Sequence, residues 1–278
     1  MTTILVPVDF SENSLVATKF AASLMNQRQG ELVLLHVSEP IDRITTKSES
    51  IRELTSENLG AEHLLQLWNR EVKVSSKTIL TEGPIAETIL KTAKEVKASM
   101  IVMGTQGAKS NLDRLLGSRA SQVATNSEIP VLVIPESMPF RQISKIVIGV
   151  DPSIEYDETL AWLSESLLQN TFDITLFSAG SQAIEDDMKH YQKRLTGIIR
   201  QKAPNCKVNE KVVTTVDTIA SLDGFVKDLD ADLLVLTTHH RGVFESIFDP
   251  GMTRKFTLAS DIPILAIPMR KVPIYFFG

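Results

Sequence analysis

The feature that most constrains this chain is that it repeats itself. Residues 4–9, from Ile4 to Asp9, have a counterpart in residues 146–151, from Ile146 to Asp151. Each is an apolar run closed by an aspartate. Residues 98–103, from Ala98 to Met103, mirror residues 231–236, from Ala231 to Leu236. Residues 129–135 and 262–268, each running from an isoleucine to a proline, are identical at five of seven places. The three anchors keep the same order in both halves, and a duplicated domain is the simplest account of that. The break falls at the short proline-flanked stretch 136–140. The expected domains are therefore 1–138 and 143–278, each of the commonest size for a single domain.

Within a half, short apolar runs alternate with longer amphipathic stretches. Residues 4–8 and 32–37 read as strands buried on both faces, being aliphatic and β-branched throughout. Between them Leu15, Val16, Phe20, Leu24 and Met25 recur at helical spacing, with Ser11 as the N-cap. Residues 51–68 form a second expected helix, with Leu54, Leu64, Leu65 and Trp68 available for its buried face. A strand over 72–80 and a helix opening at Pro84, carrying Ile85, Ile89 and Leu90, come next. Strands at 100–103 and 131–134 close the half. The second half follows suit, with strands expected at 146–150, 174–177, 208–213, 233–236 and 264–267. Its expected helices cover 160–168, 184–199 and 219–226, with a last one around Leu258. Such β-α alternation predicts two tandem α/β domains, each a five-stranded parallel sheet with helices on both faces.

Composition narrows the function classes. A net charge of −5 opposes a general grip on nucleic acid, which needs a positive surface. One cysteine, Cys206, leaves no disulfide framework and no cysteine-based zinc site, and fits a reducing cytoplasm. The N-terminus shows no basic and apolar signal pattern, and no stretch approaches the ~18 apolar residues of a membrane span. No membrane partner is expected. The apolar tail at residues 272–277 is expected to pack on the protein itself or on a partner.

Chemistry is expected at the carboxyl ends of the strands, where ligands of open parallel sheets gather. Asp9 ends the first strand and Val37 the second. The fourth runs into Gly104 and Gly107, and nine residues later Gly117 and Ser118 head a helix. Glycines there let backbone amides approach phosphate oxygens, and the helix start offers unpaired N–H groups to an anion. Lys109, Arg114 or Arg119 could neutralise a triphosphate. The blander alternative is that the glycines serve a turn and Asp9 a helix cap.

The G-x-x-G signature followed after nine residues by G-[ST], the V-P-V-D start and the I-P-V-L-V-I-P end resemble the universal stress protein family. The resemblance runs over Thr3 to Pro135 and again over Ser144 to Pro268. It implies a doubly wound sheet in the order 3-2-1-4-5 and, in ATP-binding members, use of this loop. It further implies that Pro7, Val8 and Asp9 flank an adenosine and that Val37 and Met103 lie by the adenine. Gly104, Gly107, Gly117, Ser118 and Arg119 are implied to surround ribose and phosphates. The cofactor implied is ATP, alone or with Mg2+. Pairing of domains through their fifth strands is also implied, so residues 131–134 and 264–267 are expected to meet as an intrachain pseudo-dimer. A further homodimer and an unidentified protein partner stay open.

The second half departs from that pattern. Thr237 stands where Gly104 stands, His240 for Gly107, Pro250 for Gly117 and Gly251 for Ser118. A Cβ then enters the space a phosphate needs and Pro250 removes an amide donor, so no ATP is expected there. The loop at 239–248 is expected to plug the vacated cleft or face the other domain, because Phe244, Ile247 and Phe248 have helical spacing. His239 and His240 lack a third ligand for a metal. No Walker loop, nucleophile elbow or H-E-x-x-H motif is present, and no catalytic residue is assigned. The reading is a cytoplasmic ATP-binding stress or signalling protein. Its rivals are a slow ATPase, with Asp9 or Asp113 as nominal base, and a scaffold that binds no nucleotide.

Overall fold

The computed structural model describes residues 2–25, 30–39, 60–70, 74–105, 118–136, 143–152, 171–238 and 262–268. The loop positions Gly107, Lys109, Asp113, Arg114 and Gly117 lie outside the described residues. So do the expected helices at 160–168 and around Leu258, residues 239–261 with His239, His240 and Pro250, and the apolar tail. Among the described residues no helix is long and apolar enough to cross a membrane. The chain divides into two compact units, Met1–Phe140 with Phe248–Ile264 and Arg141–Ile247 with Leu265–Gly278.

The first unit carries strands β1 (Thr2–Pro7), β2 (Gly30–Ser38), β3 (Ser76–Glu82), β4 (Met100–Gly104) and β5 (Val131–Ile134). Its helices are α1 (Glu12–Met25), α2 (through residues 60–70), α3 (Ile85–Glu95) and α4 (Ser118–Asn126). The strands are parallel and lie in the order β3-β2-β1-β4-β5. Right-handed crossovers put α1 and α2 over one face and α3 and α4 over the other. In agreement, α3 packs against α4, while α1 lies against β1, β2, β4 and β5. Leu5, Val6, Leu32, Leu34, Ile101 and Val102 are sealed from solvent, which is why these strands read as unbroken aliphatic runs.

The second unit has β6 (Lys145–Gly149), β7 (Asp173–Gly180), β8 (Lys207–Thr214), β9 (Leu233–Thr237) and β10 (Ile264–Ile267). Its described helices are α5 (Glu185–Lys202), preceded by a 3-10 turn at Gln182–Ile184, and α6 (Thr218–Leu229). The order β8-β7-β6-β9-β10 reproduces that of the first unit. Finer correspondences hold as well. The Val8 amide donates to Leu35 O at 2.8 Å and the Val150 amide to Phe177 O at 2.8 Å. The Thr105 amide donates to Ile134 O at 3.0 Å and the Thr238 amide to Ile267 O at 3.0 Å. Asp217 caps α6, its carboxylate accepting from the Ala220 amide at 3.0 Å.

Four details differ from the sequence expectations. Helix α1 buries Asn13, Ser14, Ala17, Thr18, Phe20, Ala21, Ala22 and Met25, whereas Leu15, Val16 and Leu24 are only partly covered. Small residues let this helix lie close over the sheet, and close approach outweighs the larger aliphatics in choosing the face. On α2, Leu65 is buried and Trp68 half-buried, but Leu64 faces outward. Strand β3 covers 76–82 rather than 72–80, because its ladder with β2 runs from Leu32↔Ser76 to Ser38↔Glu82. Pro84 is the N-cap of α3 instead of a first-turn residue, its extended ψ of 120° placing it outside the helix.

Candidate functional site

In a 3-2-1-4-5 sheet the order reverses between β1 and β4, so the crevice of the first unit opens where those two strands end. Pro7 closes β1, and Val8 and Asp9 follow it; Met103 and Gly104 close β4; Val37 lies near the end of the β2 ladder, opposite Thr81. Ser118 is the first residue of α4 and Arg119 the second. These eight residues thus come to the carboxyl-end side of one sheet, with α4 starting beside it. Gly107 and Gly117, the two remaining site residues, lie outside the described residues.

Asp9 serves the adjoining helix. Its Oδ1 accepts from the Ser11 amide at 3.1 Å and from the Ser11 hydroxyl at 2.6 Å. Ser11 in turn caps α1, its Oγ accepting from the Ser14 amide at 3.2 Å. The aspartate therefore shapes the β1–α1 turn, in line with the helix-cap alternative.

The residue after Asp9 is strained. Phe10 has φ +63°, a left-handed conformation that L side chains rarely adopt. Aromatic packing holds it there, with its ring 4.6 Å from His36 and 5.7 Å, edge-on, from Trp68. His36 also engages the Val8 carbonyl through Nδ1 at 2.8 Å. Strain of this kind collects at functional turns. The second unit uses a serine for the same carbonyl, the Ser178 hydroxyl donating to Val150 O at 2.9 Å.

Gly104 has an unexpected neighbour. A Cβ there would stand 2.7 Å from Asn13 Cγ, 2.8 Å from its Oδ1 and 2.9 Å from its Nδ2. Asn13, on the first turn of α1, is 3% exposed and donates from Nδ2 to Thr105 Oγ1 at 3.1 Å. Sequence reasoning missed Asn13 and Thr105, Phe10 and His36. The available signal was periodicity: Asn13, Ala17 and Ala21 form one stripe on α1, so the asparagine falls on the buried face.

Among the described residues, the charge beside the start of α4 is one exposed ion pair. Arg119 Nη2 lies 3.3 Å from Glu39 Oε1, and both side chains are largely exposed. An exposed pair of this kind contributes at most about 1 kcal/mol, so a phosphate could displace the carboxylate. Arg119→Ala is expected to change unfolding stability by less than about 1 kcal/mol. Denaturant unfolding checks that statement. The firmest electrostatic cluster lies elsewhere, in the second unit. There Lys189 beside Glu185, with a hydrogen bond from Thr214, holds the Glu185 carboxyl below the usual range. It ties α5 to β8 on the surface and borders no site residue.

At the equivalent point of the second unit, Thr237 ends β9. It is buried, and its Oγ1 has no hydrogen-bond partner among the described residues.

Comparison with known proteins agrees with this architecture. The model of the universal stress protein family matches residues 1–135. A universal stress protein of Methanocaldococcus jannaschii is 36% identical over 137 residues, covering 47% of this chain and 80% of that protein. Universal stress protein YxiE of Bacillus subtilis is 31% identical over 148 residues, covering 47% of this chain and 96% of that protein. The crystal structure of a universal stress protein from Archaeoglobus fulgidus, 14% identical, superposes with a TM-score of 0.69 over 97% of both chains, a likeness of fold. The chain belongs to the universal stress protein family.

Proposed function

We propose that this protein binds ATP, or a related adenine nucleotide, in residues 1–138, and that residues 143–278 are a degenerate copy with a structural or partner-binding role. The observation that carries the reading is that Asp9, Met103 and Gly104 stand at the strand-order reversal, with Val37 near the end of the neighbouring β2 and α4 opening at Ser118. The intervening loop supplies Gly107 and Gly117, and membership of the family supports the same reading. Asp9 and Val37 would border the nucleoside, and the loop amides, Ser118 and Arg119 the phosphates, with Mg2+ as a companion ion. Binding would change shape or association in a cytoplasmic stress or signalling role, without rapid turnover.

One observation favours a nucleotide-independent scaffold instead: Asn13 by itself accounts for a glycine at position 104. Counting bound nucleotide separates the two. Freshly purified protein is denatured and the released nucleotide identified by chromatography with mass detection. Close to one adenine nucleotide per chain is expected. Close to two would show that the second half binds as well, and none, followed by a null ATP titration, would leave the scaffold. Restoring glycines in the second half, Thr237→Gly with His240→Gly, is expected to create no strong second site, because Pro250 still withholds an amide. Stoichiometry by calorimetric titration checks this, and a second tight site would overturn the account of that loop.

A further inference from the structure

Asn13 is a polar side chain on the buried stripe of a helix, and it meets two consecutive residues of another element. Its carboxamide fills the place a Cβ would take at Gly104, and its Nδ2 donates to Thr105 Oγ1 at 3.1 Å. Those two residues are where the chain leaves β4, and the Thr105 amide still belongs to the ladder, donating to Ile134 O at 3.0 Å. The contact is covered: Asn13 is 3% exposed and Thr105 5%. An asparagine is short and its amide is planar, so packing on one side and a hydrogen bond on the other leave it little freedom to yield.

We infer that Asn13 is the positioning residue of the first unit's nucleotide loop, its buried carboxamide fixing the direction in which Gly104 and Thr105 leave β4. The inference rests on the ATP reading above for its consequence, although the contact exists without ligand. Asn13 touches the two residues from which the loop departs, so a shift of its carboxamide would offset the start of the loop. A donor set aimed at phosphates is sensitive to such an offset, because binding depends on groups held in place beforehand. Gly104 thereby acquires a specific role, since its missing side chain makes room for the asparagine, and the asparagine then holds the loop. In the second unit the corresponding strand ends in Thr237, which carries a side chain at that position and whose hydroxyl finds no partner among the described residues. The position that matches Asn13 in the second half, Glu155, lies outside the described residues.

The test uses the full chain in four forms: wild type, Asn13→Ala, Gly104→Ala and the double variant. Amide hydrogen exchange is measured at Thr105 without ligand, and ATP affinity and melting temperature are measured for each form. Asn13→Ala is expected to speed exchange at Thr105 and to weaken ATP about tenfold, the worth of one buried hydrogen bond. Gly104→Ala is expected to lower the melting temperature through the clash with Asn13. The double variant regains most of that loss, because the smaller side chain at position 13 admits the new methyl group, yet its ATP affinity stays low. A merely structural role would let affinity recover together with stability. Unchanged exchange at Thr105 in Asn13→Ala, or wild-type affinity in that variant, overturns the inference. Absence of ATP binding in the wild type overturns the functional reading instead, and the exchange measurement then still judges the contact.

Discussion

On the ATP reading proposed above, a valine at position 107 is expected to lower ATP affinity by at least about a hundredfold, roughly 2.7 kcal/mol, while the protein keeps its fold. The expectation follows from the chemistry of a phosphate loop. Backbone amides must approach phosphate oxygens to hydrogen-bond distance, and a branched side chain on the loop both fills that space and excludes the φ values that only glycine adopts freely. No described strand of the first unit's sheet includes position 107. The core of that sheet is built from Leu5, Val6, Leu34, Ile101 and their neighbours, so circular dichroism and the melting temperature of the ligand-free variant should match the wild type. Titration with ATP gives the affinity. Unchanged affinity would remove this loop from the site and, with it, the main chemical reason for assigning a nucleotide to the first half.

Leu5→Ala is expected to have the opposite signature. Leu5 is fully buried at the centre of the first sheet, paired with Val33 on β2 and with Ile101 on β4. Truncation removes a side chain enclosed by both neighbouring strands and the helical layers, at a cost of about 3–4 kcal/mol including the cavity left behind. The first unit's transition in a denaturant titration should shift accordingly. Under the proposed ATP reading, the gain in stability from added ATP should survive, since that gain depends on the ratio of free ligand to dissociation constant and Leu5 is not among the proposed site residues. A loss below about 1 kcal/mol would contradict its place in the core. A normal loss combined with abolished ligand stabilisation would mean that the site and the sheet are coupled more tightly than their geometry indicates.

Much of this architecture is legible in the sequence for one physical reason. Strands buried on both faces must be aliphatic at nearly every position, so β1, β4, β5, β9 and β10 announce themselves as unbroken runs. Their repetition in order then implies two copies of one topology. Edge strands are less legible, because one side meets solvent: β3 and β8 carry Lys77, Glu82, Lys207, Glu210 and Lys211, and their bounds are set by their partners rather than by composition. Helix faces are least legible when small residues form them, as on α1, where hydrophobic periodicity points to Leu15 and Leu24 and the sheet chooses Ala17 and Ala21.

By itself the sequence determined the duplication, the α/β class, the aspartate and glycine positions of the first half, and the loss of those glycines in the second. These are properties of residue type and order, which strand burial and backbone sterics read locally. Only the tertiary structure decided that Asp9 ties down the β1–α1 turn, that Phe10 is held at positive φ by His36 and Trp68, and that Asn13 occupies the space beside Gly104. Those facts depend on side chains separated by up to 92 residues meeting at one end of the sheet. Contacts of that range follow from how strands are ordered and how closely a helix approaches them, and no local pattern of residues encodes either distance.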